Sequence, residues 1–221
     1  MAHPSLFLVP TWAQIHKCVC DANLALVALP AFSELENVSG RTEVVGAALH
    51  PSGALLYEPF RDGPAPALPP ATNIRGGVDI RDAHNGQLRL RVYLPEPFPM
   101  LSSDIDGLHG SFLTTDENGQ QLFALTTSGL SIVKLASAPL GIGSLSPSAG
   151  PAAGGTSITL RGSGFQSGIK VTLGGKSPSA TFKVMNTLTF VTPAVSSGPQ
   201  RLTLTNPDGE SVSLDAAFIA Q

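Results

Sequence analysis

The chain has 221 residues, room for one large domain or two modest ones. Its net charge is −3, its 13 Lys and Arg form no run, and only 13% of residues are charged, which counts against a phosphate-tracking nucleic-acid surface and a basic membrane patch. Gly (23) and Pro (19) are abundant, and because both break helices the composition predicts short strands joined by tight turns.

Residues 1–40 are the least regular. Leu24–Leu29 fits a buried strand, and Ala13–Cys20 fits a strand or one short helix; both are assigned β. Cys18 and Cys20 are one residue apart, a poor disulfide geometry, so the redox compartment stays open. His16, Cys18 and Cys20 would share one face of a strand, but no fourth ligand is identifiable, and ordinary strand residues are the better reading. The longest apolar stretch, Leu24–Phe32, falls short of the ~20 residues that a spanning helix needs, and Pro30 interrupts it. No membrane insertion is expected. Leu6–Val9 is apolar, but no Lys or Arg precedes it, so Met1–Pro10 is a poor signal peptide. Either the protein is not exported from this start, or the chain lacks its true N-terminus. Asn37-Val38-Ser39 matches a glycosylation acceptor, which matters only in a secretory compartment.

From Arg41 the pattern sharpens. Val44–Leu49 is a β-type run, His50-Pro51-Ser52-Gly53 a turn, and Ala54-Leu55-Leu56-Tyr57 a second strand. Residues 58–76 read as a loop too rich in proline to pair in a sheet. Gly77–Asp82 is a strand, Ala83-His84-Asn85-Gly86 a turn of the Asn-Gly hairpin kind, and Gln87–Leu94 a strand with Leu88, Leu90, Val92 and Leu94 alternating.

The pattern then recurs. Phe112–Thr115, the turn Asp116-Glu117-Asn118-Gly119, Gln120–Leu125 and Gly129–Leu135 repeat the series. Gly53 aligns with Gly119, Tyr57 with Phe123, and Gly77-Val78-Asp79-Ile80 with Gly129-Leu130-Ser131-Ile132. Repetition of small strand units is the mark of a β-propeller. On these residues the region resembles blades of the YVTN/WD40-like bacterial surface propellers. About two blades are visible, fewer than the ~4 of a closed ring. The resemblance therefore implies the tail of a longer propeller, the alternative being an open sheet.

Ala138–Ile142 marks a boundary. Beyond it, apolar residues alternate in pairs: Ile158 and Leu160, Val171 and Leu173, Phe182 and Val184, Leu188 and Phe190, Leu202 and Leu204, Val212 and Leu214. That period belongs to half-buried antiparallel strands. With turns at Gly174-Gly175-Lys176 and Asn206-Pro207-Asp208-Gly209, about seven short strands fit a sandwich. The string Ser146-Pro147-Ser148-Ala149-Gly150-Pro151, Gly154-Gly155-Thr156, Gly162-Ser163-Gly164-Phe165 and Leu202–Gly209 is similar to the IPT/TIG pattern nearly end to end. The resemblance implies an immunoglobulin-like, non-catalytic module with Phe165 plugging one end. Such modules occur in cell-surface receptors, in some transcription factors, and as accessory parts of bacterial surface proteins and starch-acting enzymes. The basic DNA-contacting loops of the transcription-factor version are not apparent.

Motifs for chemistry fail on inspection. Gly174-Gly175-Lys176-Ser177 resembles the end of a phosphate-binding loop, but Lys170 stands where its first glycine is needed and no helix follows. Gly162-Ser163-Gly164 has no third glycine at dinucleotide spacing. Asp104-Ile105-Asp106-Gly107 lacks the further ligands of a calcium loop. His3, His16, His50, His84 and His109 are scattered, and no nucleophile elbow is present.

These readings give an all-β chain. Residues 1–40 lead into the propeller-like region, 41–138 form about two propeller-like blades, and 139–221 form the IPT/TIG sandwich. The expected function is non-catalytic binding or scaffolding, in a piece of a larger surface or secreted protein. The alternative is an accessory, polysaccharide-binding or spacer region of a larger enzyme. No catalytic, metal or cofactor-binding residue is assigned, no cofactor is expected, and the binding residues are left open. The partner expected is a protein or surface glycan, with no nucleic acid and no membrane insertion. An extracellular or cell-surface location is implied by the resemblance. Sugar faces stack on Trp and Tyr, and the module after Pro139 has only Phe165, Phe182, Phe190 and Phe218, which lowers the carbohydrate reading for that module.

Overall fold

A computed structural model describes residues 5–9, 16–20, 26–28, 41–43, 47–62, 75–99 and 112–221. Among these residues every regular element is a strand and none is a helix. The chain divides into two compact units. The first holds Met1–His50 and Leu55–Ala136, and the second Pro51–Ala54 and Ser137–Gln221.

In the first unit, β1 (Ser5–Val9), β2 (His16–Cys20) and β3 (Leu26–Ala28) form a three-stranded sheet. Thus Ala13–Cys20 contributes a strand over His16–Cys20 and not a helix. The side chains of His16, Cys18 and Cys20 lie outside the described part, as do His3, Asn37–Ser39, Asp104–Gly107 and His109. A second sheet joins β4 (Arg41–Glu43), β5 (Ala48–Leu49), β6 (Leu55–Asp62), β7 (Arg75–Asp82) and β8 (Leu88–Tyr93) in the order β4-β6-β7-β8, with β5 also on β6. A third is the meander β9 (Leu113–Thr115), β10 (Gln121–Thr126) and β11 (Gly129–Lys134).

The expected loop over 58–76 is shorter than its prolines suggested. Glu58–Asp62 continues β6 and pairs with Arg75–Asp79 of β7. Pro59 falls between the β4 register, which begins at Phe60, and the β5 register, which ends at Tyr57. A break in the ladder is where a strand tolerates proline. The Asn85-Gly86 turn is wider than a two-residue hairpin. The amide of Asp82 donates to the Gln87 carbonyl and that of Gly86 to the Asp82 carbonyl, both at 2.9 Å. The register slips between Ile80 and Arg81 as a result, and Leu88 and Leu90 are exposed despite their alternation.

The second and third sheets share one design. Tyr57 pairs with Ile80 as Phe123 pairs with Ile132, and Pro59 with Val78 as Leu125 with Leu130. Ala48 pairs with Tyr57 as Thr114 pairs with Phe123. The connecting turns match as well: the His50 amide donates to the Leu55 carbonyl (2.8 Å), and the Asp116 amide to the Gln121 carbonyl (3.1 Å). Gly53 and Gly119 both adopt positive φ, 78° and 67°, a conformation that side chains with a Cβ resist.

The second unit is a sandwich of two four-stranded sheets. One is ordered β12 (Gly141–Ser146), β14 (Ser157–Ser163), β17 (Thr187–Val191), β16 (Ala180–Val184). The other is β13 (Ala149–Gly150), β19 (Ser211–Ala220), β18 (Gly198–Thr205), β15 (Lys170–Leu173). Ile158, Leu160, Val171, Leu173, Leu188, Phe190, Leu202, Leu204, Phe165 and Phe218 all lie in one core, as alternation requires. Val184 does not: a bulge between Phe182 and Val184 turns it outward, and it is 52% exposed. Leu173 and Lys176 exchange two backbone hydrogen bonds around Gly174 and Gly175. Both glycines have positive φ, 54° and 78°, the requirement of a tight hairpin turn. The next element is the strand β16, so no helix opens there to receive a phosphate.

Candidate functional site

On β6, β7 and β8 the register sets Glu58 beside Asp79 and Arg91, and Phe60 beside Gly77 and Tyr93. Side chains two apart on a strand share a face, so these residues and Arg81 and Arg75 lie along one side of the sheet. They form a continuous ladder. Arg81 donates through Nε to Glu58 Oε2 at 2.8 Å and through Nη2 to Asp79 Oδ2 at 3.2 Å. Arg91 grips the same Asp79 with two bonds, Nε to Oδ1 at 2.7 Å and Nη2 to Oδ2 at 3.0 Å. Its guanidinium also lies 5.0 Å from the centre of the Phe60 ring. The Phe60 and Tyr93 rings meet edge to face at 5.7 Å. Arg75 completes the row with its guanidinium 5.8 Å from the Tyr93 ring centre.

Gly77 makes this row possible. A Cβ there would overlap the Phe60 ring, which lies across the glycine. Glu58 and Asp79 are buried, and a buried carboxylate needs a charged, hydrogen-bonded partner. Both have one. Asp79, and to a lesser degree Tyr93, raise the pKa of Arg91 further. Carboxylates held by guanidinium groups make the shorter, stronger class of hydrogen bond.

Its outer end differs. Tyr93 is 50% exposed, Arg75 is exposed, and among the described residues Arg75 meets no carboxylate. A half-open aromatic ring beside an exposed guanidinium offers stacking and anion recognition together.

A second feature of the first unit is polar but closed. His50 and Tyr57 are buried with ring centres 6.4 Å apart. The turn carrying Gly119 lies against both, and a Cβ at Gly119 would overlap the Tyr57 hydroxyl. That hydroxyl makes no hydrogen bond. Burial raises the pKa of Tyr57 and lowers that of His50, the latter against the opposing pull of the Asn118 backbone and Asp116. Buried together, the two side chains act as a packing element.

In the sandwich, the buried polar side chains serve its loops. The Asn206 amide donates to the Gly164 carbonyl at 2.8 Å, and its Oδ1 accepts from the Gln166 amide at 3.2 Å. The Ser163 hydroxyl donates to the Pro139 carbonyl at 2.8 Å. Phe165 packs in the core beneath Gly162. Among the described residues no three His, Cys, Asp or Glu side chains converge as a metal site would require, and no helix is long and apolar enough to cross a membrane.

Sequence reasoning read Gly77–Asp82 only as a strand and assigned no site residues. The signal was present: Glu58, Asp79 and Arg91 are charged residues set among apolar neighbours such as Leu56, Val78 and Leu90. Seeing them as one ladder required the β6–β7–β8 register, and the loop assigned to 58–76 had removed Glu58 and Phe60 from the sheet.

Comparison with known proteins separates the two units. Residues 140–219 match the IPT/TIG domain, so the sandwich is an IPT/TIG domain. No curated protein matches the chain. Among solved structures it is similar to SGBP-B from a complex xyloglucan utilization locus in Bacteroides uniformis, with 17% identity and a TM-score of 0.33. That match covers 67% of this chain and 46% of the other, so the chain spans less than half of that protein.

Proposed function

We propose that the chain is a non-catalytic binding segment of a surface or secreted protein, in which the IPT/TIG sandwich is a spacer and the β6–β7–β8 face meets the ligand. The arrangement of residues 1–40, 41–138 and 139–221 as lead-in, blade-like meanders and sandwich is part of this reading. The observation that carries it is the polarity of the ladder. Its carboxylates are buried and locked by arginine, while its exposed end presents Tyr93 and Arg75. Such a surface can stack and attract.

The half-exposed Tyr93 ring favours a glycan over a protein ligand, because the C–H face of a pyranose packs on an aromatic ring. The neighbouring Arg75 favours sugars bearing carboxylates. Affinity electrophoresis of the full chain through gels containing neutral or uronate-rich polysaccharide tests this. Retardation by the uronate polymer is expected, with at least ~10-fold weaker binding for Tyr93→Ala and for Arg75→Ala. Retardation that both variants retain would place the ligand elsewhere, and hydrolysis of the polymer by the chain would overturn the non-catalytic reading.

A further inference from the structure

Two turns of the first unit carry the same dipeptide, Asn85-Gly86 between β7 and β8 and Asn118-Gly119 between β9 and β10. Both glycines have positive φ, 73° and 67°. Both donate their amide to an aspartate carbonyl earlier in the turn, Gly86 to Asp82 at 2.9 Å and Gly119 to Asp116 at 3.1 Å. The amides that follow are used differently. That of Gln87 donates to Asn85 Oδ1 at 2.8 Å, closing an Asx turn. The equivalent amide of the second turn, that of Gln120, donates instead to Asp116 Oδ1 at 2.7 Å, where the Gln121 amide joins it at 2.7 Å. The surroundings differ as well. Asn85 is exposed, whereas Asn118 is half-buried and Gly119 buried. The Gly119 turn lies against the Tyr57 hydroxyl and the His50 ring, which a Cβ at that glycine would overlap.

From this contrast we infer that Asn85, and not Asn118, is a site of spontaneous covalent modification, in which its side-chain amide becomes isoaspartate or aspartate by way of a cyclic imide. The nucleophile is the backbone nitrogen of Gly86. It releases the Asp82 carbonyl, gives its proton to solvent base and bonds to Asn85 Cγ. The Cγ–Nδ2 bond breaks, and Nδ2 takes up a proton and leaves as ammonia. Water then opens the imide ring at either carbonyl, giving aspartate or isoaspartate. Glycine suits the step because no Cβ crowds its nitrogen. Charge builds on Oδ1 as the carbon becomes tetrahedral, and the Gln87 N–H already points at that oxygen, as a donor that stabilises an oxyanion does. At Asn118 the equivalent donor is committed to Asp116, and the turn is packed where the ring would have to form. Isoaspartate reroutes the main chain through the former side chain and lengthens the turn. In the first turn that change reaches the ladder, because Arg81 Nη1 donates to the Gly86 carbonyl at 3.1 Å while its Nε holds Glu58. The inference rests on the two turns and not on the proposed ligand.

The test holds the full chain in mildly alkaline buffer over weeks and follows both asparagines by peptide mass mapping. Trypsin, cutting after Arg81 and Arg89, releases Asn85 on a peptide separate from that of Asn118. In the folded chain Asn85 should convert at least ~10-fold faster than Asn118. An isoaspartyl methyltransferase should label the peptide that carries residue 85, and Asn85→Ala should remove that label. In concentrated urea, where neither turn persists, the two rates should agree within ~2-fold, because the dipeptide is the same. No conversion of Asn85 in the folded chain, equal or faster conversion of Asn118 there, or a preference for Asn85 that persists in urea would each overturn the inference, the last by assigning the selectivity to the flanking sequence.

Discussion

At the residue scale, Tyr57 and Gly119 meet in the first unit under opposite constraints. The Tyr57 hydroxyl is buried and makes no hydrogen bond. Leaving a donor unmet costs about 1–3 kcal/mol, so removing it should help. Tyr57→Phe is expected to stabilise the chain by about 1 kcal/mol in urea unfolding, and a loss of stability would show that the hydroxyl is satisfied. Gly119 has the contrary role. Its φ is 67°, and a Cβ there would overlap Tyr57. Gly119→Ala should cost about 2 kcal/mol or more, because strain and overlap add. His50 links this site to pH. Burial lowers its pKa, so the unfolded chain takes up the proton first. The stability that neutral His50 provides is fully present above its unfolded pKa near 6.5 and is lost as pH falls through its lower folded value. The urea midpoint should drop between about pH 7 and pH 5, and His50→Gln should flatten that drop.

At the element scale, the loops of the sandwich hang on Asn206. It joins the turn after β18 to the corner at Gly164 and Gln166 through side-chain bonds of 2.8 and 3.2 Å. Asn206→Ala should destabilise the chain by about 2 kcal/mol and raise amide exchange at Gln166, since the buried Asn206 side chain makes both bonds. Replacing Val184, which the bulge turns outward, with Thr should change stability by less than about 0.5 kcal/mol. These two residues also show what the sequence revealed. The alternation of Ile158 with Leu160 and of Leu202 with Leu204 was enough to place the core, because inward side chains recur at every second position. Val184 fits the same pattern but lies past a bulge, which depends on pairing with β17. The Asn206 turn was legible as a turn, but its reach across to Gly164 was not. The ladder was hidden for the same reason: Glu58, Asp79 and Arg91 are far apart in sequence and meet only through register.

At the scale of the whole molecule, the two units follow different logic. The sandwich buries an apolar core between two sheets and uses its polar side chains to fasten loops. The first unit spends its charges on one sheet face and leaves Tyr93 and Arg75 at the open end. Asp79 anchors that face: it takes both carboxylate bonds of Arg91, while Arg81 also holds Glu58, so Asp79→Ala should cost about 2 kcal/mol by leaving the half-buried Arg91 charge without its partner, whereas Arg75→Ala should leave stability within about 0.5 kcal/mol while weakening ligand binding. The division of labour requires that the sandwich fold without the rest. The most direct measurement is therefore thermal unfolding of residues 139–221 expressed alone. A single cooperative transition with dispersed amide resonances is the result this account predicts. A fragment that stays unfolded, or melts without a cooperative transition, would contradict it.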